Sequence, residues 1–173
     1  SQSTEPSEMG AAEQPLKLNL GCGPQSKHKK GWVNVDKIEP ADRIVDITQG
    51  LPWPDDSADE IWCDNVLEHF EGDTELVRVL NECHRVLRPD GRMTIIVPSA
   101  VNHPGGAFGD PGHKTYFYPR LFEYWTEGQK RRSPWGERYG FQPWRQLSLK
   151  HTNTIRVVQK PVKDAQPAAQ LKK

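Results

Sequence analysis

Cysteine is scarce in this chain and shows no pairing pattern. Cys22, Cys63 and Cys83 form an odd set without C-x-x-C spacing. That argues against a disulfide framework and a structural zinc knot, and suits reduced thiols in a cytoplasmic protein. Long apolar runs are also missing. No stretch approaches the roughly 18 residues that would cross a bilayer, so no membrane span is expected. The N-terminal SQSTEPSEMGAAEQP lacks the basic-then-apolar order of a secretory leader. Net charge is absent as well, since 23 Lys and Arg balance 23 Asp and Glu. The 173 residues suffice for one domain with a real core.

The neutral total hides a division. Residues 1–100 carry 10 Lys and Arg against 18 Asp and Glu, a net of −8, and residues 101–173 carry 13 against 5, a net of +8. A basic C-terminal third could take an anionic substrate or partner, although solvated faces of a small domain give the same asymmetry. Residues 1–14 and 162–173 are polar and aperiodic and are expected to be tails, the first of them disordered. Residues 15–161 then form the domain.

Within it, LKLNL (16–20), WVNVD (32–36), RIVD (43–46), EIWC (60–63) and RMTIIV (92–97) read as strands. Only about eleven residues part the first two, too few for an ordinary crossover helix. LPWPDDSAD reads as a loop. Apolar residues at three- and four-residue spacing predict a helix over 73–87, stopped by RPDG. Residues 98–140 are rich in Gly, Pro and aromatics, with a short helix near 119–127. Their aromatic cluster suits a small core under a long loop. QPWRQLSLK and NTIRVVQK form an antiparallel hairpin. The expected fold is α/β, a mostly parallel sheet with helices on both faces and a C-terminal hairpin.

Ligands of such sheets bind beyond the carboxyl ends of the strands. Gly21, Cys22 and Gly23 follow the first strand, Asp36 ends the second, Asp46 the third, and Asp64 and Asn65 follow the fourth. Singly, each has a plain explanation. The glycines suit any tight strand exit, Asp36 a turn, Asp46 an Asx turn with Thr48, and Asp64 a helix cap. Their shared order is what points to a ligand.

The strings LNLGCGP, VNVD, IVDITQGLPWPDDSADEIWCDNVLEHF and LNECHRVLRPDGRMTIIVPS resemble the class I S-adenosylmethionine-dependent methyltransferases, and most nearly the small methyltransferase-11-like enzymes. The resemblance covers residues 16–100 in order and implies a Rossmann-like fold with S-adenosylmethionine as cofactor. It also implies roles. Gly21, Cys22 and Gly23 would bed the methionine end, Asp36 the ribose diol, Asp46 and Ile47 the adenine, and Asp64 and Asn65 the methionine portion. Residues 98–140 would lie on the acceptor side. A nicotinamide site is the nearest rival, but its G-x-G-x-x-G opens a helix and here the string is GCGPQS.

Methyl transfer depends mainly on alignment, with a base where the acceptor is a hydroxyl. His113, in GDPGHKTYF, and His69, in LEHF, are the catalytic candidates by resemblance, with His103 nearby. His69 would equally pack or cap its helix. The signatures of DNA amino- and cytosine-C5-methyltransferases are missing. The acceptor is left as a sugar, a small metabolite or a macromolecular O or N group. The short first crossover leaves room for a partner, or a second copy of this chain, to complete the site. The alternative is a degenerate domain that binds nucleic acid or protein through its basic third, with Lys130, Arg131 and Arg132 as the anchor.

Overall fold

The computed structural model describes residues 12–163. The outer parts of both expected tails, residues 1–11 and 164–173, lie outside it. The chain forms β1 (Lys17–Leu20), β2 (Val33–Asp36), β3 (Arg43–Ile44), β4 (Ala58–Asp64), β5 (Leu87–Pro98), β6 (Trp144–His151) and β7 (Thr154–Pro161). Their order is β3-β2-β1-β4-β5-β7-β6. The first five are parallel, and β7 runs antiparallel to both β5 and β6. This is the mostly parallel sheet with a closing hairpin that the alternation of strands and helical segments predicts.

Register explains the core. Leu18 pairs with Val33 and Ile61, and Ile61 with Met93. Two residues on, Leu20 pairs with Val35 and Cys63, Cys63 with Ile95, and Ile95 with Val157. Period two puts all of these on one face, and all but the half-buried Val33 are buried. Helix α1 (Glu75–Val86) adds Leu76, Val79, Leu80, Cys83 and Val86 to the same core. Each large aliphatic side chain buried there contributes about 1.5–3 kcal/mol.

The opposite face is built differently. Beside Asn19, whose amide donates to the Lys27 carbonyl at 3.4 Å, there is only the three-residue 3-10 turn Gln25–Lys27. Trp62, Thr94, Ile96 and Val158 on this face are half-buried. The Lys29 ammonium sits 3.8 Å over the Trp62 ring and Arg156 lies 5.3 Å from it. Cations and their stems cover apolar surface here.

Three local expectations are corrected. The third strand is two residues long, because Asp46 turns the chain into the 3-10 turn Ile47–Gln49. RPDG ends α1, as expected, but the fifth strand does not wait for Arg92. β5 starts at Leu87, which pairs with Ala58, and a register shift between Ala58 and Glu60 absorbs the proline. The segment after 119 is a 3-10 helix, Pro119–Tyr124.

The loop 51–57 is clamped to α1. Arg85 donates to the Leu51 and Trp53 carbonyls and to Asp55, while Glu82 takes the Arg85 fork and the Leu51 N–H. Residues 98–140 hold α2 (Pro104–Phe108), a π-type turn (Arg132–Gly136) and α3 (Glu137–Tyr139). Phe117, Phe122, Trp125, Phe141 and Trp144 are buried core, while Tyr116, Tyr118, Trp135 and Tyr139 stay exposed. The Trp125 indole N–H donates to Gln159 Oε1 at 3.0 Å.

Candidate active site

The ends of β1, β2 and β4 open into a cavity of about 520 Å³. Its size lies within the range of small-ligand clefts. Gly21 and Gly23 line it, both left-handed, with φ +64° and +63°. They are glycine for different reasons. A Cβ on Gly21 would lie 2.5 Å from Val66 Cγ2, so a protein side chain fills that space. A Cβ on Gly23 would meet only Lys27 Cδ, at 4.0 Å, and conformation alone demands glycine there.

Asp36 closes β2 on the cavity wall. Its Oδ2 accepts from the Gly23 N–H at 2.9 Å and its Oδ1 from the Lys37 N–H at 2.7 Å. The carboxylate thus ties the glycine turn to β2, and each oxygen keeps a lone pair for a second donor. Asp46 caps the next turn. Its Oδ1 accepts from the Thr48 N–H at 3.0 Å and the Thr48 hydroxyl at 2.6 Å. These bonds hold its carboxyl below the ordinary value. Its Oδ2 takes no hydrogen bond among the described residues. Ile47 is buried beside it and lines the same wall.

After β4 the chain turns through Asn65, at φ +54°, into the 3-10 turn Leu67–His69. Asn65, Val66, His69 and Phe70 face the cavity. The segment after α2 returns against this turn. The Lys114 and Thr115 N–H groups donate to the Glu68 carbonyl, and the Thr115 hydroxyl donates to the Phe70 carbonyl at 2.6 Å. That return sets His113 behind His69, with ring centroids 4.8 Å apart and planes at 80°.

Of the residues singled out in the sequence, Gly21, Gly23, Asp36, Asp46, Ile47, Asn65 and His69 meet in one cavity. Four of the cofactor and catalytic candidates do not line it. The Cys22 side chain is buried, 3.4 Å from His28 Nε2. Asp64 accepts from the Asn65 amide at 3.0 Å and caps nothing. His113 sits one layer back. His103 heads α2, outside the cavity.

Sequence reasoning missed Glu68, Thr48, Phe70, Glu75 and Lys114. Glu68 carries the strongest signal in the structure. Its side chain is 2% exposed, and neither carboxylate oxygen has a hydrogen-bond partner among the described residues. Burial pushes its carboxyl up to about 7. A glutamate between Leu67 and His69 in a helical string reads as solvent-facing. The returning strap at 110–115 lies against it, with His113 Nε2 3.9 Å from its Oε1.

A parallel sheet of this order, with a glycine turn after β1 and an acid closing β2, suits a nucleoside-type cofactor at the strand ends. Residues 27–95 match the family model described as methyltransferase domain. Among solved structures, a SAM-dependent methyltransferase from Archaeoglobus fulgidus aligns at TM-score 0.60 and 15% identity, over 84% of this chain and 86% of that one. A chain of the complex between the Haloferax volcanii Trm112 methyltransferase activator and a methyltransferase aligns at 0.61 and 13%, over 86% and 83%. The Burkholderia thailandensis 1,6-didemethyltoxoflavin-N1-methyltransferase, solved with 1,6-didemethyltoxoflavin and S-adenosylhomocysteine, aligns at 0.57 and 15%, over 86% and 72%. No curated protein sequence matches significantly.

The structural likenesses show the fold, and the family match adds the chemistry. Together they support a class I S-adenosylmethionine-dependent methyltransferase. It transfers a methyl group from S-adenosylmethionine, its cofactor, to an acceptor. No helix among the described residues is long and apolar enough to cross a membrane.

Proposed function

We propose that the cavity over β1, β2 and β4 holds S-adenosylmethionine and that the acceptor enters beside His69. The observation that carries this reading is the convergence of Gly21, Gly23, Asp36, Asp46, Ile47 and Asn65 on one cleft. Asp36 has acceptor capacity left for the ribose diol. Asp46 Oδ2 takes no donor among the described residues and suits the adenine amino group. Ile47 supplies an apolar surface for the ring. Gly21, Gly23 and Asn65 border the methionine end, with Cys22 contributing backbone and Asp64 holding Asn65.

The cofactor supplies an activated sulfonium methyl when bound. The chain's part is alignment, exclusion of water and management of the acceptor's proton. His69 is the cavity's imidazole. Its Nδ1 donates to the Gly112 carbonyl at 3.2 Å, which leaves Nε2 with the lone pair a base needs. His113 packs edge-on against it and fixes its orientation. The acceptor is a sugar, a small metabolite or a macromolecular O or N group, bordered by residues 98–140.

Three free, buried cysteines suit a cytoplasmic setting. The half-buried Trp62 face and the basic C-terminal third suit a second copy or an anionic partner.

Backbone NMR during titration with S-adenosylhomocysteine tests the site. Shifts concentrated at Gly21, Gly23, Asp36, Ile47 and Asn65 are expected. Shifts confined to the Trp62 face would refute the assignment and favour a binding module.

A further inference from the structure

Glu68 sits among groups that all accept. His113 Nδ1 lies 2.8 Å from the Ala107 carbonyl and His69 Nδ1 lies 3.2 Å from the Gly112 carbonyl. A carbonyl cannot donate, so both Nδ1 atoms carry a proton, and in the neutral imidazoles both Nε2 atoms keep their lone pairs. His113 Nε2 is 3.9 Å from Glu68 Oε1 and 3.6 Å from Asp110 Oδ2. The His113 side chain is 7% exposed. One ligating atom from each of Glu68, His69 and His113 lies within 4.8 Å of the others. Two imidazoles and a carboxylate converge here, and no donor among the described residues reaches the carboxylate. An orphaned buried carboxylate is costly unless a cation meets it.

We propose that Glu68, His69 and His113 form a binding site for a divalent transition-metal ion of the zinc class. Three arguments support it. The donor set, two nitrogens and a carboxylate, is one that zinc accepts. Each histidine is oriented as metal-bound histidines are, with Nδ1–H on a backbone carbonyl and Nε2 free. The two pieces of chain are already joined, because Lys114 N–H and Thr115 N–H hold the His113 strap to the Glu68 carbonyl.

Ligand atoms around tetrahedral zinc lie about 3.3 Å apart, given bonds of ~2.0–2.1 Å. The separations of 3.6–4.8 Å observed here close by side-chain rotation. Asp110, 52% exposed, stands where a fourth ligand would come from. His69 lines the cavity while Glu68 and His113 lie behind it, so the ion would sit at the cavity's edge. With the ion bound, His69 is a ligand and not a free base. Only that consequence rests on the methyltransferase reading; the metal site does not.

The test uses the untagged full chain, stripped with a chelator and titrated calorimetrically with Zn²⁺, then with Co²⁺ followed by visible absorption. One equivalent of Zn²⁺ and a tetrahedral-type cobalt spectrum are expected. Glu68→Gln and His113→Ala should each weaken Zn²⁺ binding at least about tenfold. If His113→Ala fails to fold, the exposed His69→Ala gives the same reading. Uptake well below one equivalent, or wild-type Zn²⁺ affinity in every folded variant, overturns the site. Titration of the same samples with S-adenosylhomocysteine keeps the two claims apart. A chain that binds Zn²⁺ but not S-adenosylhomocysteine supports the metal site and refutes the proposed cofactor cavity. The reverse result overturns the metal site alone.

Discussion

Gly21→Ala and Gly23→Ala place the same methyl group at the same backbone angle with different neighbours. Both force alanine to φ near +64°. That conformation costs an L-residue about 1–2 kcal/mol. At Gly23 the methyl reaches open space, so the backbone cost is the whole effect. At Gly21 it would lie 2.5 Å from Val66 Cγ2, and Val66 is itself buried at 8% exposure. Overpacking of that kind adds about 1–3 kcal/mol. Gly21→Ala should therefore lose roughly 2–5 kcal/mol and Gly23→Ala roughly 1–2, read from urea unfolding by tryptophan fluorescence. Val66→Ala removes the clashing methyls at a cost of its own. In Gly21→Ala/Val66→Ala, about 1–3 kcal/mol of the summed losses should be recovered. Equal losses in the two single variants, or a double variant that is simply additive, would refute the claim that Val66 occupies the glycine's space.

Glu82→Gln breaks the Arg85 fork and weakens the bond to the Leu51 N–H. Arg85 holds the Glu82 carboxyl below its ordinary value, so the bond's stability is present above about pH 4.5. It is lost as pH falls through the lowered folded value, and urea midpoints of wild type and variant should converge in acid. Gln159→Leu strands the buried Trp125 indole N–H and should cost about 1–3 kcal/mol, read as a lower melting temperature. Asp46→Ala removes the cap on Thr48 and should cost about 0.5–2 kcal/mol of stability. It should also weaken S-adenosylhomocysteine binding by calorimetry, and an unchanged affinity would remove the adenine role.

Much of the fold was legible because the physics is local. Period-two alternation marks β1, β2 and the hairpin, and the apolar stripe from Leu76 to Val86 marks α1. The start of β5 at Leu87 and not at Arg92 was hidden because pairing of Leu87 with Ala58 depends on a distant strand. The meeting of Gly21, Asp36 and Asp46 in one cavity was also legible, since each stands at or just after the end of a strand. The cluster around Glu68 was not. Glu68 and His113 are 45 residues apart and meet only through the strap that bonds to the Glu68 carbonyl. Sequence neighbours of Glu68 give no hint that its carboxylate is buried. The second reason for Gly21, the Val66 contact, was hidden for the same cause.

The most direct measurement is calorimetric titration with S-adenosylmethionine and S-adenosylhomocysteine, on wild type and on Asp36→Ala. Two hydrogen bonds to a charged acceptor, each about 1.5 kcal/mol or more, correspond to at least roughly a hundredfold in affinity. The account predicts one site, lost or weakened by that factor in a variant that is still folded. Undiminished binding by Asp36→Ala, or no binding by the wild type, would contradict it.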